Sequence, residues 1–257
     1  MGINNFDGNV NTDYLKETAV KLGGLKTSSY ELMKLADGNK VLDIGCGPGI
    51  DVGQLAEMVG DTGEAVGLDQ DSVMLAEAQS SFQRRNVRFV QGSAIAMPFP
   101  DNYFDAVRAE RLFQVLPSSI NLDEVIREII RVTKPKGRIV LVDTDWGSAS
   151  LDYEDTELTQ RLLNFFAAKC RPNGYAGRQF FSLMKRNQLT VEALQIVPYP
   201  MLNFEETPYR QWLIKEALNH GVASETELNR WETALAAKSD RGEFFAVVNM
   251  VLIAGSK

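Results

Sequence analysis

The chain has 257 residues, a formal net charge of -7 at pH 7 and two cysteines. The acidic balance leaves no broad basic surface for nucleic acid, anionic lipid or a polyanionic substrate. No apolar run is long enough to span a membrane, residues 1–10 do not form a secretory leader, and two cysteines cannot build a disulfide framework. These features predict a cytoplasmic protein with one α/β domain and a sizeable insertion.

The first forty residues predict two helices that precede the sheet. Apolar and small residues recur at helical spacing from Leu15 to Leu22, and Gly23 and Gly24 would end this first helix. Ser28 or Ser29 would cap the second helix.

Residues 41–49 read V-L-D-I-G-C-G-P-G, an apolar strand that runs into a glycine loop. Glycines let the backbone turn sharply and approach a ligand more closely than any side chain could. A helix predicted over residues 50–59 would direct its free amide groups toward that ligand. The pattern predicts a nucleotide-binding element. A dinucleotide fingerprint would need a third glycine where Ile50 stands, so an NAD-dependent oxidoreductase is the weaker interpretation.

Strand and helix patterns alternate from this loop as far as Asp145. The strands are predicted over residues 41–44, 65–68, 87–91, 104–109 and 138–143. This alternation predicts a doubly wound α/β fold with a mostly parallel sheet. The clearest helix covers residues 122–132, where one apolar stripe is ended by K-P-K-G at 134–137.

The alternation stops after Asp145. A helical stretch is predicted over residues 150–186 with an irregular break at 171–174, followed by a strand near 191–197. A second helical stretch at 207–238 precedes a closing apolar strand at 244–254.

Three segments together resemble the class I S-adenosylmethionine (SAM) dependent methyltransferases. The G-x-G-x-G spacing at 45–49 resembles their motif I, and residues 92–105 resemble their G-D-A-x-x-L-P-F-x-D-x-x-F-D segment. Residues 110–116 resemble the type 11 group, with Val115 in place of a common histidine. The resemblance implies a Rossmann-like, seven-stranded sheet that ends in an antiparallel hairpin, with SAM as cofactor and S-adenosylhomocysteine as its product.

The same resemblance implies which residues bind the cofactor, since ligands of open α/β sheets lie beyond the carboxyl ends of the strands. Asp69 follows the second strand where a carboxylate binds the ribose hydroxyls, while Asp71 is typical of a helix cap. Ser93 replaces an aspartate that bonds the adenine amine, and its hydroxyl can accept that bond without charge assistance. The expected cofactor residues are Gly45, Cys46, Gly47, Pro48, Gly49, Asp69, Gln70, Gly92, Ser93, Ala94, Ala109, Glu110 and Arg111. Glu110 and Arg111 could equally form a surface ion pair.

The sequence gives fewer indications of the residues that would bind the methyl acceptor. Methyl transfer to an alcohol or phenol needs a proton acceptor, and His220, the chain's sole histidine, is the candidate general base. The candidate acceptor-binding residues are Tyr14, Tyr30, Trp146 and Tyr175. Asp143 and Asp145 would point to one side of the fifth strand and could bind a metal, but no third ligand is evident, so we expect no metal site.

The expected organisation has four parts. Residues 1–38 form an N-terminal helical cap and 39–146 the SAM-binding core. Residues 147–188 form a helical insertion, and 189–257 a strand hairpin that holds a further helical cap at 203–240. The helical parts have no predicted place in the layers of the sheet, so we expect them to cover the strand ends and select the acceptor.

The sequence therefore predicts a SAM-dependent methyltransferase that modifies an O, N or C atom of a small, apolar or aromatic metabolite. A quinone-biosynthesis C-methyltransferase is an alternative within the same class. A non-catalytic SAM-binding or interaction protein is an alternative outside it. A nucleic-acid methyltransferase is disfavoured because residues 108–116 lack an Asn/Asp-Pro-Pro-aromatic loop and a Pro-Cys pair.

Overall fold

A computed structural model describes residues 23–257, so the helix expected before Gly23 and the candidate Tyr14 lie outside the described residues. The strands are β1 (Lys40–Ile44), β2 (Glu64–Asp69), β3 (Val87–Gln91), β4 (Phe104–Glu110), β5 (Thr133–Leu151), β6 (Thr190–Met201) and β7 (Ala246–Ser256). The α-helices are α1 (Gly23–Met33), α2 (Ile50–Val59), α3 (Ser72–Ser81), α4 (Leu122–Val132), α5 (Thr156–Phe165), α6 (Ala176–Arg186), α7 (Ile214–Asn219) and α8 (Glu225–Asp240). Shorter segments are π-helical at Phe166–Cys170 and Tyr209–Leu213 and 3-10 helical at Phe204–Glu206.

The described strands form one sheet in the order β3-β2-β1-β4-β5-β7-β6. Neighbouring strands are parallel from β3 to β5, and β7 runs antiparallel to both β5 and β6. The central strands are mostly buried because helices cover both faces of the sheet. This topology confirms the predicted Rossmann-like methyltransferase fold with an antiparallel hairpin at one end.

Local sequence explains where several helices begin. The side chain of Asp71 accepts hydrogen bonds from the amides of Val73 and Met74, and Asn121 accepts one from Asp123. Ser224 forms a capping box with Glu227 at the start of α8. Each cap satisfies amide groups that the helix itself leaves without partners.

The second helix begins earlier than predicted, since Gly23 and Gly24 lie in α1 together with Ser28 and Ser29. Leu25 and Met33 of this helix are buried against the sheet, and this packing outweighs the low helix propensity of glycine. Ser29 is also buried and bonds to the Lys26 carbonyl instead of capping a helix.

The expectation that all the added helices stand apart from the sheet is also wrong. Helix α1 shares an apolar cluster with α2 on one face of the sheet. Helix α6 buries Phe180, Leu183 and Met184 with α4 on the other face. Both helices therefore belong to the layers of the sheet.

The remaining helical segments form a separate core at the carboxyl edge of the sheet. This cap core contains residues of α5, α7, α8 and the two π-helical segments, and Trp231 is buried within it. It contacts the sheet through Trp146 of β5, Met201 at the end of β6, and Ala246 at the start of β7. The cap core thus lies over the edge where ligands of this fold class bind. Within residues 23–257, no helix has both the length and the apolar character required to cross a membrane.

Candidate functional site

The loop between β1 and α2 depends on three glycines with left-handed backbone angles. Gly45, Gly47 and Gly49 have φ values of 73°, 50° and 79°. A Cβ atom at Gly49 would lie 2.7 Å from the ring of Phe89 and 3.0 Å from the Cβ of Ala78. Neither the backbone angle nor the packing leaves room for a side chain at this position. The glycine loop is consequently held close against β3 and α3.

Asp69, at the end of β2, fixes the other side of this loop. Its Oδ2 accepts a hydrogen bond from the amide of Gly47 at 2.9 Å, and its Oδ1 accepts one from the amide of Asp71 at 3.0 Å. A carboxylate has about four acceptor positions on its two oxygens. Asp69 can therefore hold the loop in place and still accept hydrogen bonds from a ligand.

A cavity of about 200 Å³ opens beside Asp69 at the carboxyl ends of the strands. The predicted cofactor residues that line it are Gly45, Asp69, Gln70, Gly92, Ser93, Ala94 and Arg111. Its apolar wall was not predicted, and it consists of Ile44, Leu68, Ile95, Leu112, Val115, Leu116, Pro117 and Ile120. The apolar spacing of Leu112, Val115 and Leu116 is the sequence signal that could have indicated this wall.

The other predicted cofactor residues lie beside the cavity without lining it. They are Cys46, Gly47, Pro48, Gly49, Ala109 and Glu110. Burial raises the pKa of the Cys46 thiol, so this cysteine is not a reactive thiolate. Glu110 does pair with Arg111, at 3.7 Å, but its side chain is almost completely buried, so the pair is not a surface one.

Glu110 belongs to a buried ionic network that the sequence did not predict. At its centre is Arg108 of β4, whose side chain is 0% exposed. Its guanidinium donates to Asp43 of β1 at 3.0 Å, to Ser29 of α1 at 3.1 Å, and to Glu110. Lys26 of α1 completes the network by binding both Asp51 at 2.7 Å and Glu110 at 3.1 Å.

Asp51 connects this network to the glycine loop, because it lies in the first turn of α2, directly after the loop. Burial opposes its ionisation, but Arg108 and Lys26 outweigh burial and lower the pKa of Asp51. Tyr30 donates a hydrogen bond to the same carboxylate, and the pKa of its phenol is raised by burial and by Asp51. The predicted acceptor residue Tyr30 is thus a member of the buried network.

Charged residues inside two apolar strands were the signal that could have indicated this network. Asp43 interrupts the apolar run of β1, and Arg108 interrupts that of β4. The two strands are adjacent and parallel, with Asp43 directly opposite Arg108 in the register. Opposite charges placed this way in a buried sheet indicate an ion pair.

Both aspartates of β5 accept hydrogen bonds from other groups of the protein. Asp143 accepts hydrogen bonds from the amides of Gln114 and Thr144, and burial raises its pKa to about 7. Asp145 accepts a hydrogen bond from Arg178 at 2.8 Å. No group of three or more His, Cys, Asp or Glu side chains within residues 23–257 could hold a metal ion.

The remaining acceptor-side candidates lie in different places. Trp146 is buried in the cap core, and its indole donates to the side chain of Gln114 at 2.8 Å. Tyr175 is half-buried beneath the guanidinium of Arg178. His220 lies on the surface, with its side chain 41% exposed and its ring against Phe165. The structure therefore does not place His220 among the groups that line the cavity.

Comparison with known proteins matches this site to a family. Residues 41–137 match the model of a methyltransferase domain. The ubiquinone/menaquinone biosynthesis C-methyltransferase UbiE of Pseudomonas aeruginosa is 37% identical over 130 residues, which cover 49% of this chain and 50% of UbiE. These matches support a class I SAM-dependent methyltransferase domain over residues 41–137.

Two further matches cover most of this chain. The YcgJ protein of Bacillus subtilis has a solved structure with a TM-score of 0.62 and 25% identity, covering 92% of this chain and 97% of YcgJ. An uncharacterized 37.1 kDa protein from a Streptomyces fradiae transposon is 28% identical over 89% of this chain and 65% of its own length. The methyltransferase thus spans about half to two thirds of these curated relatives.

We expect Gly49→Ala to destabilise the methyltransferase more than Gly221→Ala. Gly221 has a φ of 61° with open space around it, so alanine there introduces backbone strain of about 1–2 kcal/mol. At Gly49 the new methyl group would also collide with Phe89 and Ala78, and this overpacking costs about a further 1–3 kcal/mol. Urea unfolding of both variants measures the difference, and equal losses would show that the loop can move away from β3.

We expect Arg108→Met to lower the free energy of unfolding by about 3–5 kcal/mol, because it leaves buried carboxylates without their shared cation. Arg84→Met is the matched control, since it also removes one positive charge, but from an exposed pair with Glu57. The control should change stability by less than about 1 kcal/mol. Similar losses in the two variants would contradict the importance of the buried network.

Proposed function

We propose that this methyltransferase transfers the methyl group of SAM to a small-molecule acceptor at the carboxyl edge of the sheet. The observation that carries the proposal is the cavity beside Asp69, at the end of β2, which the glycine loop and the segment after β3 also line. The donor and acceptor groups around it suit the adenosyl part of SAM. A SAM-binding protein without activity is not favoured, since the glycine loop and Asp69 are both intact.

The ribose hydroxyls would be held by Asp69. Its two hydrogen bonds to backbone amides leave acceptor positions on both oxygens, as the ribose requires. The adenine would lie against Gly92, Ser93 and Ala94 and the apolar wall. Ser93 would accept the bond from the adenine amine, since its hydroxyl makes only a 3.4 Å contact with the Ile95 amide.

The methionine end of SAM would lie toward Gly45, Gly47 and the end of β4 at Ala109, Glu110 and Arg111. Cys46, Pro48, Gly49 and Gln70 would complete the cofactor site. SAM supplies an activated methyl group on a sulfonium, so the protein needs no strong nucleophile of its own. The task left to the protein is to align the acceptor with the methyl group and to exclude water.

The helical parts of the chain are proposed to choose the acceptor. The organisation that supports this proposal has a SAM-binding core at 39–146, with residues 1–38, 147–188 and 203–240 contributing the surrounding helices. The cap core over the carboxyl edge is apolar and aromatic, which suits a small apolar or aromatic acceptor. The match to UbiE covers half of each chain, so the quinone substrate that its name implies is not transferred to this chain.

A cytoplasmic location is also proposed. Its support is that Cys46 and Cys170, the two cysteines of the chain, are both free thiols, as expected in a reducing compartment.

We expect Asp69→Asn to weaken the binding of SAM and S-adenosylhomocysteine by about 1.5–3 kcal/mol, the range for a hydrogen bond to a charged group. Asp71→Asn is the matched control, because asparagine caps a helix as well as aspartate does and Asp71 does not line the cavity. Isothermal titration calorimetry measures both affinities. NAD titrated into the parent protein should bind more weakly than SAM. A parental affinity in Asp69→Asn would show that this carboxylate only holds the loop.

We expect the parent protein to transfer radiolabelled methyl from SAM to at least one member of a panel of small aromatic and apolar acceptors. With that acceptor, His220→Ala should retain the parental rate within about twofold, because His220 is exposed and does not line the cavity. Loss of a general base would instead lower the rate by about 10²–10⁴. Binding of SAM without transfer to any acceptor would favour the non-catalytic alternative.

A further inference from the structure

The cap core contains two π-helical segments that pack against each other. Phe166 begins the first segment and Tyr209 begins the second, and their ring centroids are 5.2 Å apart at an interplanar angle of 79°. π-helical turns are rare in proteins and occur often at functional sites. Their meeting point is therefore a place to look for a ligand-binding group.

Arg171 follows the first π-helical segment directly and is only 6% exposed. Its guanidinium carbon lies 5.0 Å from the ring centroid of Trp146, 5.4 Å from that of Phe166 and 4.7 Å from that of Trp212. Three rings thus form an aromatic box around one cation. A guanidinium has five N–H donors, so Arg171 can bind an anion in addition to the partners that it has in the protein.

Tyr209 contributes a second donor to the same place. The residue is 0% exposed, and its hydroxyl has no hydrogen-bond partner among the described residues. Buried phenols normally have one, since leaving a buried hydroxyl unsatisfied costs about 1–3 kcal/mol. Burial raises the pKa of this phenol, so the hydroxyl keeps its proton and can donate it in a hydrogen bond.

Hydrogen bonds connect this aromatic box to the wall of the cofactor cavity. The Trp146 indole bonds to Gln114, which lies between Leu112 and Val115 of that wall. The amide of Asn173 donates to the Gln114 carbonyl at 3.1 Å, and the amide of Trp146 donates to the Gly174 carbonyl at 2.8 Å. The segment that carries Arg171 is therefore fixed beside the cofactor cavity. Half-buried Trp212 brings one side of the box toward the surface.

We propose that Arg171 and Tyr209 bind an anionic group of the methyl acceptor, a carboxylate or a phosphate, while half-buried Trp212 packs against its apolar body. This inference rests on the proposed function and names the acceptor class for the same site. The two donors complement an anion, whose oxygens accept hydrogen bonds from a guanidinium in pairs. A cationic acceptor does not suit the box, because Arg171 already occupies the faces of its rings.

The test uses the full chain saturated with S-adenosylhomocysteine and three matched probes: 3-phenylpropionate, phenyl phosphate and the neutral 3-phenylpropionamide. Calorimetry should show binding of at least one anion that is more than tenfold tighter than binding of the amide. The comparison of carboxylate with phosphate identifies which anion the site takes. If neither anion binds more tightly than the amide, the inference is wrong.

Variants locate the binding group. Arg171→Gln should weaken binding of the anion by about 10- to 150-fold and Tyr209→Phe by about 2- to 12-fold, from the net values for charged and neutral hydrogen bonds. Arg178→Gln is the matched control, since Arg178 also stacks on an aromatic ring but is 48% exposed. It should bind the anion like the parent.

Tyr209→Phe gives a second, independent readout. Its hydroxyl has no described partner, so this variant should unfold at the same urea concentration as the parent or at a higher one. A less stable variant with unchanged anion binding would show that the hydroxyl has a structural role and would overturn the inference. If the parent protein does not bind S-adenosylhomocysteine, the proposed function itself is contradicted. The two failures are therefore distinguishable.

Discussion

The guanidinium of Arg108 joins the elements on which the cofactor loop depends. It has no solvent contact and is bonded to Asp43 of β1 and to Glu110 at the end of β4. Through Ser29 it holds α1, and at 3.3 Å it pairs with Asp51 in the first turn of α2. The helix after the glycine loop and the helix before the sheet are therefore fixed by one side chain.

Such a network is not explained by stability alone. Burying charges removes them from water, and replacing a buried ion pair by apolar residues often leaves a protein equally stable or more stable. The network holds Asp51, two residues after Gly49, whose backbone has a left-handed angle. We therefore interpret it as a device that fixes the loop before the cofactor arrives, so that less ordering is needed on binding.

The sequence predicted the sheet well because most of the parallel strands are mainly apolar and because helix signals follow β1, β2 and β4. Strand β3 and helices α2 and α4 have the predicted bounds, and the other strands differ mainly at their ends. The error at Gly23 and Gly24 has a different origin. Glycine propensity is a weak local preference, and the burial of Leu25 and Met33 outweighs it. The apolar spacing of Phe180, Leu183 and Met184 could have placed α6 on the sheet.

The candidate site also contains residues that the sequence predicts and residues that it does not. The residues around the cofactor cavity were predictable where backbone geometry demands a residue type, as at the glycines, or where position after a strand defines a role, as at Asp69. The sequence carries signals for only a few members of the apolar wall and of the ionic network, because the rest come together only when distant segments pack. Arg108 and Lys26, for example, meet through Glu110 although α1 and β4 are far apart in the chain.

The aromatic box shows most clearly what could not be predicted from the sequence. Arg171 and Tyr209 belong to two helical insertions that β6 separates in the chain, and no local pattern relates one to the other. Their side chains meet because both π-helical segments pack on the residues of β5 that extend beyond the sheet core. Cofactor binding thus depends on local geometry, whereas the proposed acceptor binding depends on long-range packing. A chain built in this way can change its acceptor while the site for its methyl donor stays the same.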